Sequence, residues 1–150
     1  MTHTQQRPWT TTLQEHKALR EQVSRLRTFL SFGPGGEEDG EWARELAQQL
    51  SELAVSLAHH FENEEHSALF LTVPFEAPRF AHRIESLRGE HRSMMRSLGG
   101  IKERLRQPAT DNLERLTENT LAFLEWVHQH EEIENDILQE VYQVDVAAAD

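Results

Sequence analysis

Residues 46–65 read LAQQLSELAVSLAHHFENEE, and the fold turns on that stretch. Leu46, Leu50, Leu53 and Leu57 recur at three- and four-residue intervals, the helical period, and His60 and Glu64 continue the same stripe. A leucine stripe is the face a helix buries, so an imidazole and a carboxylate follow the leucines inward. The four-residue step sets the two groups on one surface, about 5–6 Å apart at Cβ. A carboxylate in a helical core is costly unless it is paired or holds a cation.

Outward from this stretch, Pro and Gly cut the chain into four helix-length pieces. Gly33-Pro34-Gly35-Gly36 makes the first break, Pro74 and Pro78 bracket the second, and Pro108 marks the third. The period predicts helices over about residues 10–31, 38–71, 78–106 and 110–143. Short connections make neighbours antiparallel, so the expected fold is all-α: an up-down-up-down four-helix bundle forming one domain over residues 1–150. Thr10-Thr11-Thr12 and Thr110-Asp111 are the expected N-caps of the first and last helices. Gly99 and Gly100 inside the third helix predict a kink or a close contact. Residues 1–9 and Val144–Asp150 are expected to fray.

The other helices repeat the pattern of the second. Leu13, His16, Leu19, Val23, Leu26 and Leu30 share one stripe. Ile84, Leu87, His91, Met94, Leu98 and Ile101 share another. The last helix places Leu116, Phe123, Val127, His130, Glu134 and Ile137 in line. A single His on an apolar stripe is more often a hydrogen-bonded core histidine than a ligand. One on each of four helices, with two buried Glu, requires a shared cause, and a bound metal supplies it.

Counting from the expected helix ends puts the four His at compatible depths. His91 and His130 match least well, by about five residues, or about 7 Å at the helical rise. The candidate ligands are therefore His16, His60, Glu64, His91, His130 and Glu134. His128 with Glu132 offers an alternative four-residue pair, and His59 adjoins His60. His3, His66 and His82 fall off the stripes and are expected in solvent. Glu62, Glu65 and Glu90 are placed to accept from the outward nitrogens of ligand histidines.

Composition narrows the chemistry. The chain has no Cys, which removes disulfides, iron–sulfur clusters and thiolate metal sites. Acidic residues outnumber basic ones 26 to 15, for a formal charge of −11, so nucleic acid is not an expected partner. The basic third helix, from Arg79 to Arg106, is expected to neutralise its acidic neighbours. The N-terminus shows no apolar signal segment and no apolar run is long enough for a membrane span, so a cytoplasmic location is expected. Mixed imidazole and carboxylate donors suit iron, manganese or zinc, and they outnumber the needs of one tetrahedral zinc. Only Glu125-Trp126-Val127-His128 fits the Glu-x-x-His form of ferritin-like bundles. A bis-His haem would leave Glu64 and Glu134 without a purpose.

Taken together, His16, His60-Phe61-Glu62-Asn63-Glu64-Glu65, Glu90-His91, and His130 with Glu134 resemble the hemerythrin-like HHE cation-binding family, over about residues 12–140. The second-helix run is the most specific part. The resemblance implies a non-haem centre of two iron ions (Fe2+/Fe3+), bridged by carboxylates and an oxo or hydroxo group, with zinc or manganese as possible substitutes. It also implies a small partner such as O2, NO or peroxide, for sensing, delivery or scavenging.

One departure bears on function. The oxygen-carrying branch has two His one turn apart on the third helix, whereas His91 has Leu87 and Met95 at that spacing. Two six-coordinate irons offer about 12 positions, and four His, two Glu and one bridging oxygen fill roughly ten. The additional vacancy favours oxidation, peroxide chemistry or sensing over reversible carriage. Three function classes follow: a small-molecule-binding di-iron protein, a di-iron enzyme acting on peroxide or ferrous iron, and a structural metal-binding interaction module. Neutral imidazole alone coordinates, so binding is expected to weaken as pH falls through about 6.5.

Overall fold

The computed structural model describes residues 9–34, 39–106 and 112–143. Its elements in chain order are α1 (Thr10–Phe32), α2 (Asp39–Glu65), α3 (Ala68–Leu71), α4 (Val73–Glu76), a 3-10 turn (Pro78–Phe80), α5 (Ala81–Leu105) and α6 (Leu113–Tyr142). The four long helices α1, α2, α5 and α6 form the bundle, each packing on two neighbours in a closed ring. All four predicted stripes face inward. Leu46, Leu50, Leu53 and Leu57 are fully buried, and truncating any one of them to Ala would cost about 2–5 kcal/mol.

The second helix is shorter than the period predicts. It stops at Glu65, because nearby side chains compete for its last carbonyls. Ser67 donates from both its N–H and its hydroxyl to the Glu64 carbonyl, at 2.9 and 2.6 Å, and His66 Nδ1 lies 2.8 Å from the Glu62 carbonyl. The chain then turns through α3 and α4, which carry Leu69, Phe70 and Val73 back over the end of the bundle.

Four further expectations need correction. The N-cap of α1 is Trp9, not a threonine, with no side-chain cap; Thr12 instead is buried. Trp9 is not frayed but packs on Tyr142 at 4.7 Å between ring centroids. Thr110 and Asp111 lie outside the described residues, as do Gly35, Gly36, Pro108, His3 and residues 144–150. Asn112 caps α6, accepting the Glu114 N–H at 2.8 Å. Helix α5 runs unbroken through Gly99 and Gly100, where an added Cβ would meet open space, so the expected close contact is absent.

The core comes in two parts. A long cluster runs from Leu19 and Leu30 through the α2 leucines to Leu98 and Leu116. A smaller one joins Leu13, Leu69, Phe70, Ile84, Leu87 and Ile137. His16, His60, Glu64, His91, His130 and Glu134, all buried, interrupt the leucine stripes at the level where one cluster gives way to the other. No helix among the described residues is long and apolar enough to cross a membrane.

Candidate metal centre

Each long helix delivers one imidazole to this layer, and α2 and α6 add a carboxylate one turn further on. His60 Nε2 lies 2.9 Å from Glu64 Oε2, and His16 Nε2 lies 3.4 Å from that oxygen. The other Glu64 oxygen, Oε1, is 2.9 Å from His91 Nε2 and 3.8 Å from His130 Nε2. Glu134 repeats the arrangement, with Oε1 3.3 Å from His16 Nε2 and Oε2 3.4 Å from His130 Nε2. Both carboxylates thus straddle two imidazole pairs. Two four-residue groups result, His16–His60–Glu64–Glu134 and Glu64–His91–His130–Glu134, each with one donor atom per residue within 4.8 Å of the others.

The depth mismatch between His91 and His130 narrows from about five residues to three once the helix ends are known. His91 lies 14 residues before Leu105 and His130 lies 17 after Leu113. The ring nitrogens meet at 3.2 Å.

Hydrogen bonds satisfy only part of this cluster. Despite the short distances, His60 Nε2 and both Glu134 oxygens lack an aligned hydrogen-bond partner. Native proteins rarely leave several such buried atoms unpaired in one place. Lone pairs converging from four imidazoles and two carboxylates suit cations, and the mixed nitrogen and oxygen donors fit iron, manganese or zinc. The residues present therefore fit a metal pair.

The electrostatics agree. Burial alone would lower the His16 pKa, but Glu134 and Glu64 outweigh it and hold the imidazole well above the usual range. Burial likewise opposes protonation of His60, yet Glu15 and Glu64 lift it to about 9. His130 rises to about 11 against its own burial, chiefly through Glu134 and Glu64. Burial would raise Glu64, but its Glu134, His130, His16 and His60 contacts leave it well below the ordinary carboxylate range. Without metal, the carboxylates hold protons on the imidazoles in place of cations.

Outward nitrogens find partners that the sequence reading only partly anticipated. Glu90 accepts from His130 Nδ1 at 2.8 Å and from the Trp126 indole N–H at 3.2 Å. Glu65 is near His91 Nδ1, at 3.8 Å. Glu62 is exposed and takes no such role. His128 and Glu132 are exposed and lie 3.7 Å from each other, so the alternative register points to solvent. His59 is exposed, 3.2 Å from Asn63 Nδ2, and His66 and His82 are exposed as expected.

Asn135, Glu15 and Glu131 were missed. Asn135 Oδ1 is 2.8 Å from His16 Nδ1, and Glu15 Oε1 is 3.5 Å from His60 Nδ1. Each adjoins a candidate ligand in sequence, which a stripe-by-stripe reading passes over. Glu131 is buried, and that burial pushes its carboxyl up to about 7. It stands seven residues from both Leu124 and Leu138, a second apolar stripe that marks it as inward-facing.

The model of the hemerythrin HHE cation binding domain matches residues 7–142. The chain belongs to that family. No curated protein and no solved structure gives a match. This hemerythrin-like domain carries its buried His and Glu residues on the four long helices, with a cation-binding character that the donor set independently supports.

Proposed function

We propose that the chain is a single-domain di-iron protein that binds oxygen or a related small molecule such as nitric oxide, for sensing, delivery or scavenging. His16 and His60 would hold one ion and His91 and His130 the other, with Glu64 and Glu134 as carboxylate donors available to both. The observation that carries this reading is Glu64, whose two carboxylate oxygens face two different histidine pairs. Bound there, an iron pair supplies one-electron redox chemistry and open coordination positions for a small ligand.

The chain's own residues supply the setting. Leu57, Phe61, Leu87, Met94, Phe123 and Val127 are buried and exclude water from the layer. Phe61 stacks on His91 at 4.0 Å between centroids and fixes its ring plane. Glu90 holds the proton on His130 Nδ1, which leaves Nε2 free to donate to a metal.

A second reading, a di-iron enzyme turning over peroxide or ferrous iron, draws support from α5. Buried Leu87 and half-buried Met95 stand where a second histidine would supply another donor. Mixing the anaerobically reduced protein with oxygen, nitric oxide or peroxide in a stopped-flow spectrometer separates the two. A long-lived, reversible adduct supports binding. Multiple turnovers that vanish in His60→Ala support the enzyme, and no spectral change with any of the three rejects both.

A further inference from the structure

The outward nitrogens of the four candidate histidines are held unequally. His60 Nδ1 and His91 Nδ1 have no aligned partner, with Glu15 at 3.5 Å from the first and Glu65 at 3.8 Å from the second. His16 Nδ1 meets the neutral amide oxygen of Asn135. His130 Nδ1 alone meets a carboxylate at hydrogen-bond distance, Glu90 Oε2 at 2.8 Å. The Glu90 side chain is 34% exposed, and among the described residues no lysine or arginine pairs with it. Water can therefore draw it away unless something else fixes it.

Trp126 supplies that second hold. Its indole N–H donates to the other Glu90 oxygen, Oε1, at 3.2 Å. Trp126 stands four residues before His130, one turn away on the same face of α6. Glu90 reaches across from α5 and gives one oxygen to each. Packing does not account for this N–H. The Trp126 ring is half-buried, meets Phe123 edge-on at 6.5 Å between centroids, and borders an open groove of about 790 Å³ between α5 and α6. A phenyl ring would fill that place as well. Trp42 makes the contrast: it is buried, and its indole nitrogen has no partner at all.

We propose that Trp126 is a positioning residue of the centre, whose indole N–H clamps Glu90 onto His130. The clamp keeps the His130 proton on Nδ1 and its Nε2 turned to the cation position shared with His91. This inference rests on the two-cation reading above, and its test separates the two. Zinc(II) is titrated into the full chain and followed by calorimetry and by NMR of the indole N–H groups.

The wild type is expected to take two ions. As the position beside His91 and His130 fills, the Trp126 indole resonance should move and that of Trp42 should stay. Trp126→Phe should bind one ion about three- to tenfold more weakly and the other as before. In a Glu90→Ala background the same substitution should change nothing further, because there is no carboxylate left to clamp. A loss of equal size in that background would show that the ring acts by packing, and would overturn the inference. If Trp126→Phe does not fold, the wild-type spectra decide. A Trp126 resonance unmoved by zinc, or wild-type affinities in folded Trp126→Phe, would overturn the inference and leave the two-cation reading standing. No zinc bound by the wild type would overturn both.

Discussion

The two halves of the polar layer use the same donors and brace them differently. On the His91–His130 side, Phe61 and Phe70 pack against one ring, while Glu90 and Trp126 form a hydrogen-bonded chain behind the other. On the His16–His60 side, His16 leans on the neutral amide of Asn135, and His60 Nδ1 has Glu15 at 3.5 Å without an aligned hydrogen bond. The sharpest difference is thus between His130, whose outward nitrogen meets a carboxylate at 2.8 Å, and His16, whose outward nitrogen meets a neutral amide at the same distance. Donor identity sets what can bind, and the groups behind the donors set how the two positions differ.

The largest effect should come from removing what the halves share. Glu64→Ala withdraws an oxygen from both groups, so metal analysis should fall from two ions per chain to none, with affinity down by more than about 100-fold. Retention of one tightly held ion would show that the halves are independent and that Glu64 serves only one of them.

Next come the braces. Glu90→Gln replaces a charged acceptor behind His130 with a neutral one, and should weaken metal binding by about 10–100-fold. Asn135→Ala removes an acceptor that was already neutral, so calorimetry should show a smaller loss, about tenfold or less. Equal losses, or the reverse order, would erase the contrast between the halves.

Proton competition gives the third test. In the metal-free protein His60 is raised to about 9, so its contribution to stability is complete below about 6.5 and disappears as pH rises through about 9. Glu64 is lowered, so its contribution is present above about 4.5 and fails as pH falls below that. The metal-free protein should therefore lose stability in denaturant melts between about pH 7 and 9. Metal affinity should climb over the same interval as His60 sheds its proton. This interval lies above the ordinary histidine range near 6.5 expected from the sequence, because buried His16, His60 and His130 share carboxylates that no single-residue value anticipates. A metal affinity flat from pH 6 to 9 would contradict this.

The smallest effect lies outside the layer. Gly99→Ala and Gly100→Ala meet no atom within 4 Å and sit in an unbroken helix. Each should add about 1 kcal/mol of stability, read as a thermal midpoint about 2–4 °C higher, with metal content unchanged.

Most of the bundle was legible from leucine spacing alone, because burial follows the helical period wherever packing is between long helices. All six residues chosen from the stripes are buried and converge. What escaped was local or lateral. The α2 terminus depends on Ser67 and His66 side chains reaching carbonyls behind them, which no periodicity records. Asn112 rather than Thr110 or Asp111 caps α6, since the cap depends on where the loop ends. Glu131 was hidden in the run Glu131-Glu132, which reads as solvated surface until its seven-residue spacing to Leu124 and Leu138 is noticed.

The proposed function requires that Glu64 and Glu134 each serve two metal ions between the four long helices. Anomalous diffraction from crystals of the iron-loaded protein tests it most directly. Two iron peaks are predicted, one beside His16 and His60 and one beside His91 and His130, both within bonding distance of the Glu64 and Glu134 carboxylates. A single peak, or iron found only at exposed carboxylates, would contradict the account.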